Sequence, residues 1–324
     1  MARSFMAQRI LEPGQIETLA QRSIPRVRLP DRKRVFARRA ERLRELAGGN
    51  ALDGYLRLLA SLADAQQSAL ARFDTVLPSA AQIEQAGEYR MPPILATGWP
   101  RDAKWRDVLR ELVAAVASAS AIPAGVVALS LRLREASSDW LEAQADALLA
   151  VQPAQIDIAA APFLMAALQV HWVALTAAFV ADRVQALDVP RVCPLCGTLP
   201  VASIVAAQSP YTGYRYLHCG LCAGEWHYVR VECTSCGANG KDIGYHSLSR
   251  ADAGHDAAES SAAAVRAESC DVCRSYRKIL YQENAPALEP LADDLASLAL
   301  DLLLGENGYH RASGNPLLWQ AIGD

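Results

Sequence analysis

The chain has 324 residues, of which 52% are hydrophobic and 21% charged, with a formal net charge of −3. This length admits two domains, and the composition is that of a soluble globular protein that does not rely on metal for all of its stability. With no acidic or basic tail, a strong global attraction to nucleic acid is not indicated.

Residues 15–21 form a short helical candidate, and two prolines in Ile24-Pro-Arg-Val-Arg-Leu-Pro favour an extended segment after it. Asp31 reads as an N-cap for a helix whose apolar face is Val35, Phe36, Ala40, Leu43 and Leu46, ending at Gly48-Gly49. Its other face carries Arg32, Lys33, Arg34, Arg38, Arg39, Arg42 and Arg44. A charge run of this kind is a solvated face or, more sharply, a docking surface for an acidic segment. A second helix spans about 52–73, with Tyr55, Leu58, Leu59, Leu62, Ala65 and Ala69 as its core face. A linker follows around Met91-Pro-Pro-Ile-Leu, then a third helix through Val108, Leu109, Leu112 and Val116 that ends by Pro123. Further helices are expected near 124–135 and 138–149, with Trp105 and Trp140 as core anchors.

Residues 158–181 contain no Asp, Glu, Lys or Arg, and the apolar run from Pro162 is nearly long enough to span a bilayer. Its many alanines, Gln169 and His171 near the middle and the lack of a flanking basic cluster argue instead for the central helix of an α-bundle, without membrane insertion. His171 is expected to be a satisfied core histidine. Asp188-Val-Pro-Arg then closes the helical part.

All eight cysteines lie in 193–273, as four Cys-x-x-Cys pairs: Cys193/Cys196, Cys219/Cys222, Cys233/Cys236 and Cys270/Cys273. Each pair places two thiolates on one side of a tight turn, the geometry of a soft-cation site. Cys196 and Cys236 are followed by glycine, which permits positive φ, whereas Cys222 and Cys273 are followed by Ala223 and Arg274. The first and third pairs therefore read as openers and the second and fourth as closers. Site one is then Cys193, Cys196, Cys219 and Cys222, and site two Cys233, Cys236, Cys270 and Cys273. An interleaved pairing remains open, at the entropic cost of longer loops. Strand-like runs at 213–218, 225–231 and 276–281 flank the pairs in the manner of zinc ribbons or rubredoxins. Four thiolates leave no open coordination position, which argues against hydrolytic metal catalysis.

A secreted disulfide scaffold is disfavoured by the chain length and by an N-terminus without a secretory apolar stretch, and thioredoxin-like chemistry by the ribbon spacing. Thiol ligands and that N-terminus place the protein in a reducing, cytoplasmic setting. His218 and His227 are read as packing or hydrogen-bonding residues rather than ligands. Residues 249–264 are a polar insertion, mobile or loosely helical, and Pro290-Leu-Ala-Asp-Asp-Leu begins an amphipathic helix ending at Gly305. The tail at Gly308-Tyr-His-Arg and Asn315-Pro-Leu-Leu-Trp is expected to be ordered by contact.

Several stretches together resemble the FdhE family, the accessory proteins of formate dehydrogenase. They are Leu29-Pro-Asp, Phe36-Ala-Arg-Arg-Ala-Glu-Arg-Leu, Cys193-Pro-Leu-Cys-Gly, the run from Cys219 through Glu225-Trp-His-Tyr-Val-Arg to Cys233, Glu268-Ser-Cys-Asp-Val-Cys and Asp293-Asp-Leu-Ala. The resemblance implies a cytoplasmic maturation factor, not an enzyme, that binds the catalytic subunit of formate dehydrogenase. It also implies rubredoxin-like iron sites with the eight cysteines as ligands, zinc being the alternative. The expected fold is α+β: an all-α domain (1–188), two tandem rubredoxin-like or zinc-ribbon modules (189–231 and 232–284), and a C-terminal helix and tail (285–324). Trp226, His227, Tyr228 and Arg230 are candidates for the partner surface. The rival functions are electron transfer through redox-active iron and, more weakly, nucleic-acid binding; the mixed charges of 191–274 show no one-signed stripe.

Overall fold

The computed structural model describes residues 24–119, 122–207, 212–248 and 264–319. The helix read at 15–21, and the 249–264 insertion apart from Ala264, lie outside them. Among the described residues, seven α-helices follow a short first strand: α1 (Val35–Ala47), α2 (Asp53–Arg72), α3 (Ala80–Glu88), α4 (Trp105–Ala117), α5 (Ala124–Glu135), α6 (Ser138–Leu149) and α7 (Ala161–Thr176). The core organises around α7, whose sixteen residues are all buried. It packs against α2, α4 and α6, which explains an apolar sequence on every face. Among the described residues no helix is long and apolar enough to cross a membrane.

Two helix starts differ from expectation. The Asp31 carboxylate accepts from Lys33 N at 2.9 Å and its carbonyl from Val35 N at 2.9 Å. Asp31 therefore closes the turn before α1, and Arg34 occupies the cap position. Helix α3 went unread because none of its residues is buried. Its only signal is a capping box, in which Ser79 and Gln82 each accept the other's backbone N–H.

The remaining chain forms strands β1 (Val27–Arg28), β2 (Pro200–Val205), β3 (Arg215–Cys219), β4 (Glu225–His227), β5 (Ile243–His246), β6 (Val265–Cys270), β7 (Ser275–Tyr281) and β8 (His310–Arg311). They make one sheet in the order β1-β4-β3-β2-β7-β6-β5, with β8 beside β7. Each ribbon module is antiparallel, β2-β3-β4 and β5-β6-β7. The two modules fuse through a parallel pairing of β2 with β7, Ser203 opposite Ile279 and Val205 opposite Tyr281. The extended segment after Ile24 supplies β1, with Val27 opposite Trp226 on the outer edge of β4.

The C-terminal helix is divided into α8 (Pro290–Ala296) and α9 (Leu298–Glu306). At Ser297 the backbone leaves the helical region, φ −112° and ψ 36°. The Ser297 hydroxyl donates to the carbonyls of Asp293 and Asp294 at 2.6 and 3.3 Å, occupying acceptors at the end of α8. Helix α8 packs on α1 and β2, and this contact corrects the reading of the arginine-rich face. Arg39 is 1% exposed and donates to Glu289 at 3.0 Å and Gln169 at 3.3 Å, while Arg42 holds Asp293 through three contacts of 2.7–3.2 Å. The acidic segment met by that face is the chain's own C-terminal part. Arg34 and Arg38 remain exposed.

Candidate metal centres

The eight cysteines gather into two groups of four, Cys193, Cys196, Cys219 and Cys222, and Cys233, Cys236, Cys270 and Cys273. Each group pairs an opener with the next closer, and within it all Sγ atoms lie within 4.8 Å of one another. The sulfur–sulfur separations are 3.5 Å for Cys193–Cys222, 3.4 Å for Cys196–Cys219, and 3.6 Å for both Cys233–Cys273 and Cys236–Cys270. A disulfide would require about 2.05 Å. Metal–sulfur bonds of about 2.3 Å at tetrahedral angles place sulfurs roughly 3.8 Å apart, so both donor sets fit a four-coordinate soft cation. The cation would be closed off from a substrate water by its own ligands.

All four Cys-x-x-Cys turns share one backbone device. The residue after the second cysteine has positive φ: Gly197 (76°), Ala223 (56°), Gly237 (82°) and Arg274 (57°). Glycine after an opener therefore does not mark a different turn. At Gly197 it is required by space as well, since a Cβ there would sit 2.7 Å from Leu95 Cδ1. Ala223 and Arg274 hold a conformation that costs about 1–2 kcal/mol for a residue with a Cβ, which the surrounding turn must over-determine. Gly197 N donates to Cys193 O at 2.9 Å, Ala223 N to Cys219 O at 3.2 Å and Gly237 N to Cys233 O at 3.0 Å. Amide donors also reach sulfur, Cys222 N to Cys219 Sγ and Ser235 N to Cys233 Sγ, each at 3.3 Å. A hydroxyl two residues after a ligand reaches sulfur in each centre, on the opening turn of the first and the closing turn of the second: Thr198 lies 3.2 Å from Cys196 Sγ and Ser275 3.1 Å from Cys273 Sγ.

The two centres differ in their surroundings. The first is sealed, with all four cysteines buried. The linker after α3 closes it, Ile94 N donating to Leu195 O at 3.1 Å and Ala96 N to Cys196 O at 2.8 Å. Burial drives the Cys193 and Cys222 thiols well above their usual range. Burial acts on Cys219 in the same direction, but hydrogen bonds from the neighbouring thiols and Thr198 outweigh it and hold Cys219 well below. In the second centre Cys236 is exposed and Cys273 half-buried. There burial lifts Cys270 to about 12, while amide donors overcome burial at Cys233 and bring it to about 7. Four thiols packed this closely resist ionising together, and a bound cation would remove that conflict.

Neither candidate histidine joins a sulfur group. His218 is buried on β3, its Nδ1 3.1 Å from Glu225. His227 is exposed, and partial burial followed by the charge of Arg26 holds it below the ordinary histidine range. Two of the four partner-surface candidates are interior: Trp226 is 4% and Tyr228 3% exposed. Trp226 donates to Pro190 O at 2.8 Å, and the Tyr228 hydroxyl donates to Glu232 at 2.7 Å. This is a correction, with a strand cause: Trp226 and Tyr228 alternate inward while His227 and Val229 point outward, and Arg230, beyond the end of β4, is exposed. Trp226 and His227 nonetheless line a groove of about 320 Å³ with Val27, Leu187, Pro190 and Val192.

Sequence reasoning missed the polar interior around the second centre. Arg215 on β3 is buried and pairs with Glu268 at 2.7 Å. Arg277 on β7 is buried as well, donating from Nε to Thr234 Oγ1 at 2.8 Å and from Nη1 to Ser313 Oγ at 2.7 Å. Burial, then the charges of Arg215 and Arg311, lowers Arg277 to about 9. The signal available was Arg-x-x-x-Cys and Cys-x-x-x-Arg spacing on strands, which by itself does not separate an inward arginine from a solvated one. His171 was read as satisfied, yet neither ring nitrogen has a hydrogen-bond partner in its fully buried position. It packs edge-on to Phe73 and Trp172, and burial lowers it to about 4, so it is neutral near pH 7.

Comparisons with known proteins agree along the chain. Family models described as FdhE N-terminal, FdhE central domain and FdhE C-terminal domain match residues 24–188, 192–230 and 231–318. The chain is 39% identical over 324 residues to the Protein FdhE homolog of Cronobacter sakazakii, covering 98% of this chain and 100% of that one. It is 40% identical over 315 residues to Protein FdhE of Salmonella choleraesuis, covering 97% of each. The crystal structure of the FdhE protein from Pseudomonas aeruginosa superposes with a TM-score of 0.75 at 38% identity, covering 91% of this chain and 99% of that one. With three family models matched in order and its fold shared with a solved relative, this chain belongs to the FdhE family.

Proposed function

We propose that this protein is a non-catalytic accessory factor in the formation of active formate dehydrogenase, working in the cytoplasm by binding the enzyme's catalytic subunit. The observation that carries the reading is the family match along the chain, and the two closed sulfur centres fit it. Each centre would hold one metal ion on its four cysteines, Cys193, Cys196, Cys219 and Cys222 in one and Cys233, Cys236, Cys270 and Cys273 in the other. A four-thiolate ion supplies cross-linking of the turns and, if it is iron, one-electron chemistry. Iron is the metal the family resemblance favours, with zinc as its competitor. The working division is a helical domain over 1–188, ribbons over 189–231 and 232–284, and a C-terminal segment over 285–324 that clamps them. His227 and Arg230 offer the solvent-facing part of the partner surface, with Trp226 in the adjoining groove wall.

A second reading, electron transfer to the client, draws on the exposure of Cys236, which brings the second centre to the surface. Anaerobic purification with elemental analysis and a visible spectrum before and after dithionite separates the metals. Sedimentation of the protein with purified formate dehydrogenase catalytic subunit tests the partner. A defined complex that weakens in the H227A/R230A variant is expected. No complex at micromolar concentrations with both centres loaded refutes the binding role.

A further inference from the structure

Two buried guanidiniums lie behind the second centre with a single carboxylate between them. Glu268 is opposite Arg277 in the β6–β7 register, but its carboxylate is already committed. Oε1 accepts from Arg215 Nη2 at 2.7 Å and Oε2 from the Tyr245 hydroxyl at 3.1 Å. The nearby cations Lys278 and Arg311 are balanced by Asp294 and Asp301. Arg277 is 4% exposed, its hydrogen bonds go to the neutral hydroxyls of Thr234 and Ser313, and its Nη2 has no partner. The carboxylates that act on Arg277, Glu268 and Asp294, are each paired with another cation, and a buried charge so incompletely compensated is costly unless a further opposite charge is supplied.

The position shows where that charge would come from. Thr234 lies between Cys233 and Cys236 in the opening turn of the second centre. Arg277, Thr234, Cys233 and Cys270 line the same small cavity of about 10 Å³. Four thiolates around a divalent ion carry a net charge near −2. We propose that Arg277 is the counter-charge of the second sulfur centre, a positioning residue whose guanidinium favours the metal-bound thiolate state. The proposal rests on the reading that this centre holds a metal. It makes the two centres chemically unequal: the first is sealed by apolar packing, and the second is open at Cys236 but electrostatically held from behind.

The test uses the full chain, wild type and the variants R277Q and R277K, each loaded with zinc and titrated with a chromogenic chelator. R277Q keeps a hydrogen-bonding group and loses the charge, whereas R277K keeps the charge and loses the planar fork. R277Q is expected to lower zinc affinity at the second centre by about 10- to 100-fold, as outer-shell changes do, and to leave the first centre unchanged. R277K should stay within roughly threefold of wild type at both centres. In the metal-free reduced protein, R277Q should melt at or above the wild-type temperature, because a lone buried cation has gone. A purely structural arginine would instead lower the metal-free melt. Wild-type chelator competition in R277Q, or equal loss in R277K and R277Q, overturns the proposal. A wild-type chain that holds fewer than two metals per chain overturns the metal reading itself, and the proposal with it.

Discussion

The buried pair of Arg39 and Glu289 ties the first helix to the C-terminal segment, and its removal has a calculable cost. Both side chains are nearly excluded from solvent, 1% and 7% exposed, at a separation of 3.0 Å. Glu289 also accepts from Leu291 N at 3.1 Å and Ala292 N at 2.8 Å, capping α8. Arg39 reaches Gln169 Oε1, and Gln169 in turn donates to Gly220 O at 2.6 Å, in the turn between the cysteines of the first closer. Breaking a buried pair by deleting one partner costs about 3–5 kcal/mol. Arg39→Met leaves Glu289 its two amide donors, so the loss belongs near the lower end, about 3 kcal/mol. Glu289→Gln leaves the guanidinium with only a neutral acceptor, and about the same loss or slightly more is expected. The double variant strands no charge, so its loss should fall short of the summed singles by about 2 kcal/mol. Equilibrium urea unfolding of the four proteins, followed by far-ultraviolet circular dichroism with both centres loaded, measures this coupling. A coupling within about 0.5 kcal/mol of zero would refute the claim that this pair joins the helical domain to α8.

The buried His171 gives a pH dependence of defined sign. Its value falls from 6.5 in the unfolded chain to about 4 in the folded one, so between those limits the unfolded state binds the extra proton. Stability should therefore be full above pH 6.5 and fall as the pH is lowered towards 4, by roughly 3 kcal/mol in all. His171→Phe, packed against Phe73 and Trp172, should flatten that part of a pH-dependent urea series; an unchanged slope would exclude His171 as its source. Gly197→Ala forces a Cβ to 2.7 Å from Leu95 at φ 76°, whereas Gly240→Ala, at φ 65°, meets nothing within 4 Å. The first change should cost about 2–3 kcal/mol and impair metal retention at the first centre, and the second about 1 kcal/mol with no metal effect. Thermal melts and metal content read both, and equal melting losses would remove the packing argument.

Much of this was legible before any coordinates. The spans of α5 and α6 match the expected 124–135 and 138–149, with α5 starting directly after Pro123, because helix formation is largely a local property. The opener-to-closer grouping of the cysteines was legible too, although one premise for it was incomplete: Ala223 and Arg274 adopt the same left-handed turn as the glycines. Contacts between distant segments were not legible. Arg39 and Arg42 look like solvated residues until α8, some 250 residues later, brings Glu289 and Asp293 to them. Likewise nothing in the two ribbon sequences specifies that β2 pairs with β7 in parallel. Burial of Trp226 and Tyr228 was available from strand alternation, although aromatic side chains suit a buried strand face and a partner surface equally.

The β2–β7 seam has a consequence for biosynthesis. Ser203 and its partner Ile279 are 76 positions apart, which at about 5–20 residues per second separates their synthesis by roughly 4–15 seconds. From residue 222 onward all four ligands of the first centre are already made, yet one edge of β2 has no neighbour until β7 follows. A nascent chain at that stage presents an apolar strand edge of the kind that recruits chaperones or other chains. Occupation of the first centre can thus precede completion of the sheet, and a ribosome stalled between residues 222 and 279 should expose a metal-competent intermediate that the finished protein no longer resembles.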